Sequence, residues 1–88
     1  MELYDILLDA YNEKHWEEYA SCFKDEGIRV EGIPQDIVNA VTTVLGEKAG
    51  ITWLDTPLHA LDEKTARELL QTENGEKVLK AFIMRLPN

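Results

Sequence analysis

Two histidines, one cysteine and several adjacent carboxylates are the residues of this chain reactive enough for catalysis, and their spacing decides what they can do. His15 and His59 stand alone, without Cys or carboxylate partners at the intervals a zinc site or a two-His-one-carboxylate iron site requires. Cys22 is the only thiol, so it has no internal disulfide partner, and its helical spacing with Tyr19, Ala20 and Phe23 predicts a small buried apolar residue, not a nucleophile. Ser21 lacks the flanking glycines of a nucleophile elbow. The pairs Glu17-Glu18 and Asp25-Glu26 would need a dry cleft to pull their pKa values apart for acid and base work, and they read as a solvated helix face and its end. The five glycines are spread over turn positions, with neither G-x-x-x-x-G-K-S/T nor G-x-G-x-x-G, so no phosphate cradle is expected. The sequence therefore predicts no enzyme, no cofactor and no metal.

Charge narrows the partners. The formal net charge is -8, and the nine Lys and Arg are scattered, which opposes binding through phosphate neutralisation. A helix from Pro34 to Leu45 would offer only Gln35 and Asn39 as readers of base edges, so no direct nucleic-acid contact is expected. The acidic balance suits a basic partner and serves solubility equally well. At 88 residues the chain has room for one core, hence a single domain over residues 1–88. Domains of this size bury a modest share of their surface, so oligomerisation or a partner can matter to folding. Neither a disordered composition nor a membrane span is present, and Met1-Glu2-Leu3-Tyr4-Asp5 lacks the basic start of a signal peptide. A cytoplasmic protein with no membrane association is expected.

The elements that would position these residues are helical. Leu3, Ile6, Leu7, Ala10 and Tyr11 follow a helical period. Trp16, Tyr19, Ala20 and Phe23 follow another that lies nearly opposite on one straight helix, so a break near Asn12 is expected, with Asn12 capping a second helix that Gly27 stops. Residues 28–32 alternate Ile28 and Val30 with charged residues and read as a loop or a short edge strand. Pro34 opens a third helix carrying Ile37, Val38, Val41, Val44 and Leu45 to a stop at Gly46. A short helix follows to Pro57, with Trp53 and Leu54 expected in the core between the last two helices. Thr65-Ala66-Arg67-Glu68 is a capping box, and Thr72 can cap a final helix bearing Val78, Leu79, Phe82, Ile83 and Leu86 on one side. The fold class is thus all-α, a small bundle of five or six short helices. Gly75, early in that last helix, would mark a close helix contact or a fraying first turn.

The order of these features from Val44-Leu45-Gly46 onward resembles a known family. Trp53-Leu54-Asp55-Thr56-Pro57, then Leu61-Asp62, Lys64 to Leu70, and Thr72-Glu73-Asn74-Gly75 through Val78 to Arg85-Leu86 are similar to the toxin-binding domain of the Xre/MbcA/ParS antitoxins. That domain shows a glycine before a short helix ending in Trp-Leu, a proline turn, an E-L-L helix and a glycine-bearing last helix ending in Arg-Ile or Arg-Leu. The resemblance covers about half of the chain, residues 44–88, and leaves residues 1–43 as N-terminal helices of unassigned role. Glu63 stands where the family favours glycine and Ala66 where it favours proline. The chain ends at Asn88, where family members continue in a short tail, and residues 1–43 are unlike their helix-turn-helix domain, so neither plugging by a tail nor operator binding is expected to carry over.

What the resemblance implies is an antitoxin-like module that binds a RES-type, NAD-consuming toxin or a related ADP-ribosylating toxin and neutralises it by occlusion. Partner contact would fall on Phe82, Arg85 and Leu86 at the end of the last helix, the first and last of which also have a core role open to them. Two other readings stay open on the residues alone. An acidic decoy would occupy the groove of a basic nucleic-acid-binding protein, and a homo-oligomeric scaffold would bury Trp16, Tyr19 and Phe23 between copies.

Overall fold

The first two helices are separate. In the computed structural model, which describes residues 2–86, α1 spans Leu3–Ala10 and α2 spans Glu13–Ala20. Tyr11 and Asn12 between them are extended, and the Asn12 side chain accepts the His15 N–H at 3.0 Å. This cap satisfies one of the orphan donors that any helix start exposes. The break turns the two mismatched stripes toward one interior: Leu7 and Trp16 are both buried, and Tyr19 and Phe23 pack partly buried against the same core. Trp16, Tyr19 and Phe23 thus all contact the core of the chain itself.

Two local expectations are corrected. α2 ends at Ala20, well before Gly27, because i→i+3 bonds from Cys22 to Tyr19 and from Phe23 to Ala20 tighten its last turn. Gly27, at φ +82°, instead follows an Asp25 side chain that accepts its N–H at 2.9 Å and also pairs with Arg29. Cys22 is exposed, not buried, since the tightened turn carries it past the inward face. Residues 28–33 take the loop conformation, one of the two readings their sequence allowed, with 28–30 irregular and 31–33 a turn; Ile28 and Val30 reach the edge of the core, and the Gln35 side chain donates to the Ile28 carbonyl at 2.8 Å.

The third helix, α3, spans Gln35–Leu45, and α4 spans Glu47–Leu54; Gly46, at φ +94°, is the single residue between them. The hairpin they form is close. Gly50, in the middle of α4, is buried, and a Cβ there would stand 2.8 Å from the Val41 carbonyl oxygen and 2.9 Å from the Thr42 Cα. The glycines are thus not all turn residues: Gly50 and Gly75 lie inside helices. Thr42, buried at this crossing, donates its hydroxyl to the Val38 carbonyl at 2.7 Å, so no polar atom is orphaned.

A loop follows in which Leu58 and Lys64 form an isolated antiparallel bridge. It encloses a 3-10 turn at His59–Leu61 and two left-handed residues, Asp62 at φ +58° and Glu63 at φ +62°. A non-glycine residue pays about 1–2 kcal/mol for that conformation, while glycine costs about 0.5–1 kcal/mol in unfolded-chain freedom. Glu63→Gly is therefore expected to stabilise by about 0.5–1 kcal/mol, raising the thermal midpoint by about 2–8 °C. The exposed His59–Glu63 pair it removes contributes little. A melt showing an unchanged or lower midpoint would count against strain at this position.

The last two helices, α5 at Ala66–Leu69 and α6 at Glu73–Ile83, begin as their sequences predict. Thr65 and Glu68 form the reciprocal capping box, and Thr72 accepts the Gly75 N–H at 2.9 Å. Val78, Leu79 and Ile83 are fully buried along α6. Against them pack α1 and α5, while α3 joins α2 to α4. One continuous core takes Leu7, Trp16, Ile37 and Val41 from the first half and Leu54, Leu61, Leu69 and Leu79 from the second. Arg67 ties three segments together, with Nε 2.6 Å from an Asp55 carboxylate oxygen and a terminal nitrogen donating to the Glu31 carbonyl at 2.5 Å.

Candidate functional site

Among the described residues the two histidines and the cysteine do not come together, and His59 pairs with the Glu63 carboxylate. His15, Cys22 and His59 are exposed on separate elements, and among the described residues no three His, Cys, Asp or Glu side chains are placed to hold a metal ion. The densest polar arrangement lies around Trp16. Its indole N–H donates to Asp36 at 2.9 Å, and Lys80 Nζ sits 5.6 Å from the ring centroid and 2.8 Å from Glu76. This is a fastening of α2 to α3 and α6.

Burial lowers the Lys80 pKa, but the hydrogen bond and charge of Glu76, with Tyr11 and Asp36, more than offset it and hold the ammonium above its ordinary 10.5. Burial also raises Tyr11 and Tyr19 above their ordinary 10.0, against a lowering by Lys80 at Tyr11. All three groups are raised in the folded state, so the stability they contribute is intact below the unfolded values and is lost as pH rises through the folded ones. The urea midpoint is expected to be insensitive to these groups between pH 7 and 9 and to fall above about pH 10. A midpoint that rose over that alkaline range would contradict the assignment.

A second face lies along α4. α4 turns Gly50 and Leu54, four residues apart, toward α3, and this leaves Ala49 and Trp53 on an adjoining face. Ala49 is exposed and Trp53 half-buried. The Trp53 ring, expected in the core beside Leu54, lies at the core's edge stacked on Phe82 of α6, with centroids 6.2 Å apart and planes at 20°. Leu45 at the end of α3, Lys48, Ala49, Thr52 and Trp53 on α4, and Thr56 beyond it line an open groove of about 570 Å³ whose walls are mostly apolar. Such a groove can hold an apolar side chain, and its polar lining is Lys48, Thr52 and Thr56.

The residues assigned to partner contact divide. Phe82 is half-buried and contributes to this edge through its stack on Trp53. Arg85 is exposed in the turn after α6, where its backbone N–H donates to the Phe82 carbonyl at 3.0 Å. Leu86, whose N–H bonds the Ile83 carbonyl, is partly buried and packs on the core. Leu45, Ala49 and Thr52 were not marked as site residues by sequence reasoning; the signal available for them was the pair of small and apolar positions Ala49 and Trp53 adjoining the inner pair Gly50 and Leu54.

No family model matches the chain, and neither a curated protein nor a solved structure does.

Proposed function

We propose that the chain is an antitoxin-like protein-binding module that neutralises a RES-type, NAD-consuming toxin or a related ADP-ribosylating toxin by covering its active site, with no catalysis of its own. The observation that carries this reading is the Trp53–Phe82 stack beside an apolar groove. Half-exposed aromatics next to a groove are the kind of anchor that supplies most of the energy of protein interfaces. The reading is further supported by the order of local features from Gly46 onward. A short helix ends in Trp53-Leu54, a proline turn follows, Glu63 holds a left-handed conformation where the family favours glycine, and capped helices carry Glu68-Leu69-Leu70 and Gly75.

Co-expression with the product of the neighbouring gene tests it. The chain is expected to co-purify with that protein and to suppress both its toxicity and the loss of cellular NAD. A neighbour that is harmless alone, or that fails to co-purify, would remove the reading. Within a surviving complex, Arg85→Glu should leave stability within about 0.5 kcal/mol, because the residue is exposed and unpaired among the described residues. The same change should weaken binding by about 1–2 kcal/mol if the arginine meets an acceptor on the toxin. Calorimetric titration of the purified pair measures the second quantity, and equal affinities for the two proteins would move the contact away from the end of α6.

A further inference from the structure

We propose that α1 is an exchangeable arm: when the break at Tyr11 and Asn12 closes into helix, two copies of this chain trade their α1 segments and form a two-fold dimer. Each α1 then fills, in the other copy, the seat it holds in its own.

Apolar packing alone fastens α1. Leu7 is fully buried, and Leu3, Tyr4, Leu8 and Tyr11 pack against the core. Among the described residues no side-chain hydrogen bond or ion pair joins residues 2–11 to the rest of the chain. The main surfaces under α1, those of α6 and the 3-10 turn, lie far along the sequence, so an α1 supplied by another chain meets the same neighbours. The hinge, for its part, can become helix. Between Leu3 and Ala20 there is neither Gly nor Pro, and only Tyr11 and Asn12 leave the helical conformation. Locally the break is held by the Asn12 cap on the His15 N–H. On one straight helix Leu7 and Trp16, nine positions apart, would lie half a turn from each other. With Trp16 seated, Leu7 must then leave its own core, and the surface shaped for it is the vacated seat on a second copy. The burial lost in one chain is recovered in the other. The balance is therefore set by the two caps given up, the helical bonds gained across the hinges and the protein concentration. A two-fold exchange closes on itself and leaves neither α1 unburied.

Refolding the full chain from urea at millimolar and at low-micromolar concentration, followed by size-exclusion chromatography with light scattering, tests the exchange. A dimer is expected from the concentrated sample and monomer from the dilute one. Asn12→Ala should lower the dimer dissociation constant by about thirtyfold, roughly fivefold for each cap removed. Glu13→Pro should abolish the dimer. Residue 13 is exposed and opens α2, where proline is favoured, and Asn12 before it is already extended, whereas inside a continuous helix proline would break the hydrogen-bond ladder. Inserting two glycines between Tyr11 and Asn12 should do the same, and it replaces the proline variant if that one misfolds. In the dimer, the amide shifts of α6 and the 3-10 turn should match those of the monomer, while those of residues 10–13 move. Monomer alone from concentrated wild type and Asn12→Ala, a dimer that persists with the hinge locked or lengthened, or one whose α6 amides shift would overturn the proposal.

Discussion

Alanine at Gly75 is expected to cost about 3 kcal/mol, the upper end of what overpacking a well-filled contact typically costs. Gly75 is the third residue of α6 and is buried. A Cβ there would overlap the Leu69 carbonyl oxygen and stand 2.8 Å from both the Leu69 carbonyl carbon and the Thr72 hydroxyl oxygen. Two of these atoms are backbone, so no side-chain rotation relieves the contact. The first turn of α6 must move away from the end of α5, and in moving it endangers the Thr72 cap, worth about 1 kcal/mol. Helix propensity alone argues the other way, since alanine is favoured over glycine inside a helix by about 1 kcal/mol. The sign of the change therefore separates the two accounts. Against a total of roughly 4–13 kcal/mol for a chain of this length, a loss near 3 would shift the urea midpoint far to the left. Gly50→Ala should go the same way by about 1–2 kcal/mol, because its closest contacts, at 2.8 and 2.9 Å, are less severe. A midpoint unchanged or raised in Gly75→Ala would refute the close crossing.

The features legible in the sequence are those set within a turn or two of the chain. Asn12, the Thr65–Glu68 box and Thr72 act on N–H groups three residues away, and each does what its spacing predicts. The α6 stripe of Val78, Leu79 and Ile83 is legible for the same reason, as one face of one helix. What escaped depends on two elements at once. Gly50 gave no local signal that it sits under Val41 and Thr42, and hydrophobicity placed Trp53 inside although the α3–α4 hairpin leaves it at the edge. Cys22 and the early end of α2 turn on whether a last turn winds as an α-helix or tightens, a balance of tenths of a kcal/mol that spacing does not resolve. Arg67 meets Asp55 and Glu31, 12 and 36 positions away, and no motif announces such a bridge. Phe82, Arg85 and Leu86 were singled out through resemblance, whereas the groove exists only once α3 and α4 are folded against each other.

Trp16→Ala should be the most damaging single change in the first half of the chain. Trp16 is 2% exposed and is the one residue of α2 in the fully buried core. Truncating a buried tryptophan costs about 3–5 kcal/mol through lost burial and the cavity left behind. The change also strips Asp36 of the indole N–H that binds it at 2.9 Å and takes the ring from beneath Lys80. Trp16→Phe keeps most of the volume and the cation–π face but loses the N–H, so a cost of about 1–2 kcal/mol is expected. The two variants thus separate packing from polar fastening, and far-UV circular dichroism in urea follows both without relying on the remaining Trp53. If Trp16→Phe were as destabilising as Trp16→Ala, the hydrogen bond and not the core contact would dominate. The groove lies on α3 and α4, whose hairpin closes through Gly46 and Gly50 without α2. Binding per folded molecule should therefore survive in Trp16→Phe, and a loss of affinity larger than its loss of folded population would show that α2 shapes the contact face.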